Sequence, residues 1–148
     1  MEIREAKAEL QEYIHNKNYL ERKQEEILRL EERINKVTAT YSDMPKGGSG
    51  NSKEDLIAMK LDLEKEVYGY LMRLLEKEMI IERTLQKLDP IHRNILDFLY
   101  IEEVDKNDDT KKENTLVDYA AKNRHSYRQA TRLLKKAYKQ YSEMREEP

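Results

Sequence analysis

Apolar residues recur at three-, four- and seven-residue intervals along the first part of the chain, with charged residues between them. One seven-residue repeat holds Ala6, Tyr13, Leu20, Ile27 and Ile34, and Ile3, Leu10, Leu30 and Val37 lie three or four residues away from it. No glycine or proline interrupts residues 2–38. This pattern predicts one long helix over roughly residues 2–38, with a narrow seam of the coiled-coil type.

The segment 42–52 breaks this pattern. It contains three of the four glycines and one of the three prolines, so we expect a loop there. Ser52 is followed by two acidic residues and is expected to cap a second helix, which should run to about Leu88. Its apolar positions are Leu56, Leu63, Val67, Tyr70, Leu74, Ile81, Leu85 and Leu88.

Two long helices joined by a loop, each with one apolar seam, are expected to fold back as an antiparallel hairpin. Residues 1–88 therefore form the first predicted domain. A single partner helix would not bury either seam completely, so we expect this region to form a homo-oligomer, with a dimer favoured.

Asp89 and Pro90 begin the second predicted domain, residues 89–148. Asp89 is expected to cap a third helix, because proline suits the first helical turn. The predicted inward face of this helix consists of Ile91, Ile95, Leu96 and Leu99. Residues 102–114 offer almost nothing to bury, and we interpret them as a loop.

Composition restricts the fold class to all-α. Charged residues make up 39% of the 148-residue chain and apolar residues 38%, which is too little apolar surface for a parallel sheet buried on both faces. The chain has no cysteine, so it has no disulfides and no cysteine-ligated zinc site. There is no apolar run of membrane-spanning length and no signal-like start. We therefore expect a soluble intracellular protein without membrane association.

Charge separates the two ends of the chain. Residues 1–114 carry 20 basic and 26 acidic residues, a net charge of −6, whereas residues 115–148 carry 8 basic and 4 acidic residues, a net charge of +4. Seven basic residues and no acidic residue lie between Lys122 and Lys139. A local excess of this kind is typical of a surface that binds a polyanion, although it also fits a solvated helix face.

The basic segment has the pattern of a helix-turn-helix. Thr115 and Asp118 resemble a capping box at the start of a short helix, and Ser126 is expected to cap a second one. The predicted inner faces consist of Leu116, Tyr119 and Ala120 in the first helix, and of Ala130, Leu133, Leu134 and Ala137 in the second. Such a second helix, predicted over residues 126–141, can enter the major groove of double-stranded DNA.

The outer face of this helix supplies the candidate DNA-binding residues. Tyr127 and Thr131 lie on it, Arg128 and Gln129 are placed to reach base edges, and Arg132, Lys135 and Lys136 are placed to hold phosphates.

Residues 89–100 (DPIHRNILDFLY), together with residues 116–141, resemble region 4 of bacterial sigma-70-type factors. The whole chain, with its Met44–Gly48 loop (MPKGG), is similar to phage-encoded transcriptional regulators of the ArpU/RinA type. The resemblance implies an activator of phage late genes, with RNA polymerase as a further partner. It also implies a location in the cytoplasm of the bacterial host, with the protein on DNA. It places Ser126, Tyr127, Arg128, Gln129 and Arg132 at recognition-helix positions.

Two residues of the turn depart from the sigma-like pattern. Arg124 stands where the turn normally has glycine, and Asn123 stands where a leucine usually packs. We include Arg124 among the candidate DNA contacts. An arginine at positive φ would be strained, so we expect a looser turn. The segment 102–114 is also longer than its counterpart in sigma region 4.

Two other functions stay open. A small terminase subunit also joins a helix-turn-helix to oligomerising helices, and would form a larger ring. An interaction protein would use the basic helix to bind an acidic protein surface, for example on RNA polymerase. Enzymatic activity is not expected, because the sequence has no Gly-rich phosphate loop and no catalytic constellation. His15, His92 and His125 are too scattered for a metal site, His15 and His92 are expected on helix surfaces, and no cofactor is expected.

Overall fold

The computed structural model describes residues 1–40, 52–102 and 113–145, and for residues 38–40 it describes the backbone only. The predicted loop at 42–52, apart from Ser52, lies outside these ranges, as do the Met44–Gly48 motif and residues 103–112. The described residues form helices and turns and contain no strand, which confirms the all-α class.

Five α-helices follow one another in the described residues. Their bounds are α1 Ile3–Thr40, α2 Lys53–Leu85, α3 Pro90–Leu96, α4 Leu116–Lys122 and α5 Tyr127–Met144, and a π-helical turn, Asp97–Ile101, continues α3. None of these helices is both long enough and apolar enough to cross a membrane.

The second helix ends three residues before the predicted Leu88. The backbone tightens there, because Lys87 N donates to Thr84 O (3.0 Å) and Leu88 N donates to Leu85 O (3.1 Å). Asp89 then takes the extended backbone with ψ 144° that a residue before proline prefers. The predicted cap at Asp89 is wrong in its chemistry, since the side chain makes no capping hydrogen bond.

Contacts divide the chain into two compact units. The middle unit, residues 17–74, consists of the second part of α1 and the first part of α2. Tyr19 donates to Glu66 (2.8 Å), and Lys60 pairs with Glu31 (3.2 Å). The two segments therefore run in opposite directions past each other. Leu20, Leu30, Leu56 and Val67 are buried.

The terminal unit consists of residues 1–16 and 75–148. In it, α5 packs against both α3 and α4, and the π-helical turn packs against α4. This grouping differs from the predicted boundary at 88/89, because side chains near the start of α1 and the end of α2 bond to α5. Glu9 in α1, for example, accepts a hydrogen bond from Tyr141 in α5 (2.8 Å).

The predicted seams are mostly buried or half-buried, with two exceptions among the inward positions. Ile3 is exposed at the start of α1, and Ile91 is 53% exposed, although the periodicity placed it on the inner face of α3. The side of this first turn that faces α5 carries His92 instead, whose Nδ1 lies 2.6 Å from Gln140 Oε1. The prediction of His92 as a surface residue is therefore wrong, and His15 is exposed as expected.

Candidate functional site

The candidate site begins at the capped start of α4. Asp118 N donates to Thr115 Oγ1 (3.3 Å), and Thr115 N donates to Asp118 Oδ2 (3.0 Å). The predicted capping box is confirmed with aspartate in the place of the usual Glu or Gln. Tyr119 and Ala120 are buried on the inner face, whereas Leu116 is only half-buried. A seven-residue helix of this kind is fixed by its cap and its packing, since isolated helices of this length do not persist.

Residues 123–126 join α4 to α5 in a tight turn. His125 N donates to Ala120 O (2.9 Å), and Arg124 N approaches Ala121 O (3.4 Å). These two bonds form a Schellman motif, in which the residue after the C-cap is left-handed. That residue is Arg124, with φ 55°, the one non-glycine residue with positive φ in the described chain. The turn is therefore closed by regular bonds with arginine in the glycine position, and our expectation of a looser turn is wrong.

Two side chains make contacts within this turn. Asn123 Nδ2 donates to Tyr119 O (2.9 Å), which also accepts a hydrogen bond from the backbone N of Asn123 (3.0 Å). The His125 ring meets the Tyr119 ring edge-on, with 5.8 Å between centroids. His125 Nδ1 is buried and has no hydrogen-bond partner within the described residues. Asn123 thus adds a hydrogen bond at the end of α4, and His125 supplies a ring contact with Tyr119.

Ser126 caps α5, as predicted, and Gln129 completes the cap. Gln129 N donates to Ser126 Oγ (3.1 Å), and Ser126 N donates to Gln129 Oε1 (2.9 Å). The sequence analysis missed this second bond, although Ser-x-x-Gln is the capping-box pattern. The start of α5 is consequently fixed by two reciprocal bonds.

The nine predicted DNA-binding residues are all exposed and lie on the turn and on α5: Arg124, Ser126, Tyr127, Arg128, Gln129, Thr131, Arg132, Lys135 and Lys136. Tyr127 is 61% exposed, so it points outward as expected. The structure brings these residues together on one continuous segment. It adds Lys139, which is exposed on the same row and could have been found from its spacing, four residues after Lys135.

The charged residues on the exposed side of α5 are all basic from Arg128 to Lys139, and Glu143 is an exposed acidic residue one turn further along the helix. Arg128, Arg132, Lys135 and Lys139 follow one another at intervals of three or four residues, so they form a row about 16 Å long. Lys136 lies beside this row. None of these five side chains pairs with a carboxylate in the part of the chain that the structure describes. The first three turns of α5 therefore present positive charge to solvent without an acidic residue beside it.

The buried side of α5 supports this face. Ala130 and Ala137 are fully buried and let neighbouring helices approach closely, and Tyr138 and Tyr141 are buried further along the helix. The Tyr138 and Tyr100 hydroxyl groups hydrogen-bond to each other, and burial raises the pKa of both side chains. The two phenols stay neutral at physiological pH, so the underside of α5 adds no negative charge.

A buried ionic cluster anchors the C-terminal end of α5. The Arg145 guanidinium bonds to both carboxylate oxygens of Glu9, with a shortest distance of 2.9 Å, and Lys77 Nζ lies 3.1 Å from Glu9 Oε1. Burial alone would raise the pKa of Glu9, but hydrogen bonds from Arg145, Tyr141 and Lys77 outweigh it and lower the pKa. The carboxylate is therefore charged, and it fixes α5 to α1 and α2 at residues far from the candidate site.

No competing site of comparable definition is present in the described chain. Its histidines and carboxylates include no group of three that could hold a metal ion. The middle unit has an open groove, lined by Leu30 and Leu63 and rimmed by charges of both signs. Because acidic and basic groups alternate around this rim, it favours no single class of ligand.

The chain matches no known protein family, no curated protein and no solved structure. Interpretation of the site therefore depends on its own geometry and chemistry.

Proposed function

We propose that the chain is a sequence-specific, double-stranded DNA-binding transcription regulator. In this proposal, α4, the turn at 123–126 and α5 form a helix-turn-helix, and α5 enters the major groove. The observation that carries the proposal is the unpaired basic row on α5. This row comes directly after the tightly closed turn, and the helix that carries it begins with a capping box. The turn fixes the direction of α5, and the row supplies the charge that binds phosphates.

The proposal assigns different roles along the row. Arg128, near the start of α5, is a base-reading residue, because recognition helices contact base edges mainly through their N-terminal residues. Lys135 and Lys136 bind phosphates, together with Lys139. Phosphate contacts dominate affinity and carry no sequence information, whereas groove contacts determine which site is chosen.

We further propose that α1 and α2 form an antiparallel hairpin that joins two copies of the chain. The support is a stripe of apolar side chains on the outer face of α2 in the middle unit. Leu61, Tyr68 and Met72 are between 44% and 66% exposed there, at intervals of seven and four residues. This is the spacing of a coiled-coil seam, and a second α2 would supply the same spacing. A dimer would present two α5 helices to two half-sites.

The wider role proposed here is that of an activator of phage late genes, with RNA polymerase as a second partner. This role follows from the similarity of residues 89–100 and 116–141 to sigma region 4. The terminase alternative predicts a ring of many copies and the regulator a small oligomer, with a dimer favoured, so the mass of the oligomer in solution separates them.

The test is a selection of bound sites from random DNA duplexes, repeated at two salt concentrations. Each phosphate contact contributes about −0.9 to the slope of log affinity against log salt. Arg128→Ala should reduce discrimination between sites, whereas Lys135→Ala should weaken all sites alike and make the slope shallower by about 0.9. Lys7→Ala removes an exposed charge from α1 and serves as the matched control. Absence of an enriched motif, with weak and sequence-blind binding, would contradict the proposal.

A further inference from the structure

The hydrogen bonds of the first turn of α5 restrict which bases its side chains can recognise. Gln129 Oε1 is turned back to the backbone, where it accepts the Ser126 N–H at 2.9 Å. Glutamine recognises adenine through a bidentate contact, in which its oxygen accepts from N6 and its NH₂ donates to N7. Because the oxygen is held at Ser126 N, the amide is not free to turn both its oxygen and its NH₂ group toward one adenine, so the cap competes with this pair.

Thr131 is restricted in a similar way. Its hydroxyl donates to Tyr127 O at 2.8 Å, so the proton is used within the helix. The Ser126 hydroxyl already accepts from Gln129 N (3.1 Å). The short polar side chains of this turn therefore maintain the helix start and have few groups left for reading bases.

Arg128 and Arg132 are not restricted. Both are exposed, and neither pairs with a carboxylate in the described ranges 1–40, 52–102 and 113–145. Each guanidinium has five N–H donors in a planar fork and no acceptor, which matches the O6 and N7 acceptors of guanine. The two residues are one helical turn apart, a rise of about 6 Å, and consecutive bases on a strand are about 3.4 Å apart.

We propose that α5 reads guanine at two positions, roughly two base pairs apart, through Arg128 and Arg132, and that Gln129 is a positioning residue. This inference rests on the proposed function and deepens it by naming the chemistry of the site. It moves Arg132 from the phosphate-binding role to base reading, and it removes Gln129 from base reading.

The experiment is the same duplex selection, performed with the wild-type chain and four variants. We expect a motif with two guanines at this spacing in the wild type. Arg128→Ala and Arg132→Ala should each relax the preference at a different one of the two positions, by roughly tenfold or more. A wild-type motif without guanines, or loss of all sites alike in both arginine variants, would overturn the inference.

Gln129→Glu and Gln129→Ala test the positioning role. Glutamate keeps the oxygen that accepts from Ser126 N, so the helix start and the melting temperature should be retained. The selected motif should be unchanged, with affinity lowered uniformly by the added negative charge. Alanine lacks that oxygen, so the melting temperature should fall and all sites should weaken alike. An adenine preference that disappears in Gln129→Glu would show that Gln129 reads bases and would overturn the assignment.

These results separate the inference from the function it rests on. A wild-type chain that enriches no motif fails as a sequence-specific DNA-binding protein, and the guanine proposal fails with it. A chain that enriches a motif lacking the guanine pair is still such a protein, and only the guanine proposal fails.

Discussion

Substitution of Arg124 tests the turn by two measurements. Its strained backbone conformation lowers the stability of the fold, whereas its positive charge is expected to strengthen DNA binding. Its φ of 55° lies in the left-handed region, which costs a residue with a Cβ roughly 1–2 kcal/mol. Glycine at this position removes that strain, but it also gives the unfolded chain more freedom, at roughly 0.5–1 kcal/mol. Arg124→Gly should therefore raise the free energy of unfolding by about 0.5–1 kcal/mol. For a chain of this size the midpoint of thermal unfolding should rise by a few degrees at most.

The same substitution should weaken DNA binding. It removes a cation from the turn, so the salt slope should become shallower by about 0.9 if Arg124 contacts a phosphate. Arg124→Ala is the matched control, because it removes the same charge and keeps the strained Cβ. Urea denaturation of both variants, followed by DNA titration at two salt concentrations, separates the two effects. Two outcomes would refute the reasoning: an alanine variant as stable as the glycine variant, or a glycine variant less stable than the wild type.

Three further predictions concern buried polar groups of the terminal unit. Glu9→Gln should lower the free energy of unfolding at pH 7 by about 3 kcal/mol, because it leaves the buried Arg145 guanidinium without its counter-charge; urea denaturation measures this. The difference in free energy of unfolding between wild type and Glu9→Gln should shrink as the pH is lowered. The pKa of Glu9 is lowered in the folded state, so its ionisation stabilises the fold above the ordinary value of 4.5, and this stabilisation is lost as the pH falls below that value. A constant difference from pH 7 to pH 3 would contradict this. Tyr138→Phe should cost about 1–3 kcal/mol by leaving the buried Tyr100 hydroxyl without its partner, and adding Tyr100→Phe should restore part of the loss; thermal unfolding of the single and double variants tests this.

Local features of the chain were predictable because a few neighbouring residues determine them. The caps at Ser52, Thr115 and Ser126 form as predicted, since each is a short side chain that bonds to a backbone N–H three residues ahead. Gln129 belongs to the same class. The Ser-x-x-Gln spacing of residues 126–129 indicates a capping role for Gln129 as well as the base contact that was predicted for it.

Predictions of burial failed where burial depends on which neighbouring helix covers a given face. Ile91 has the right spacing for an inward residue but is exposed, because the first turn of α3 presents His92 to α5 through Gln140. Periodicity identifies a face of a helix, but it does not tell how far along the helix a partner reaches.

The cluster around Glu9 explains why the organisation of the chain was harder to predict than its helices. Glu9 and Arg145 are 136 positions apart in sequence, and in a chain with 39% charged residues nothing local distinguishes them from the surface charges of α1 and α5. Their side chains are each only 7% exposed, so the pair is tolerated only because several hydrogen bonds replace water around the carboxylate. A buried carboxylate must keep its three hydrogen-bond donors, so few other packing positions of α5 are compatible with it. Glu9 therefore helps to determine how α5 packs against the start of α1 and the end of α2. The direction in which α5 presents its basic row is therefore set at both ends: by the Schellman turn at Arg124, and by a long-range pair that no periodicity reveals.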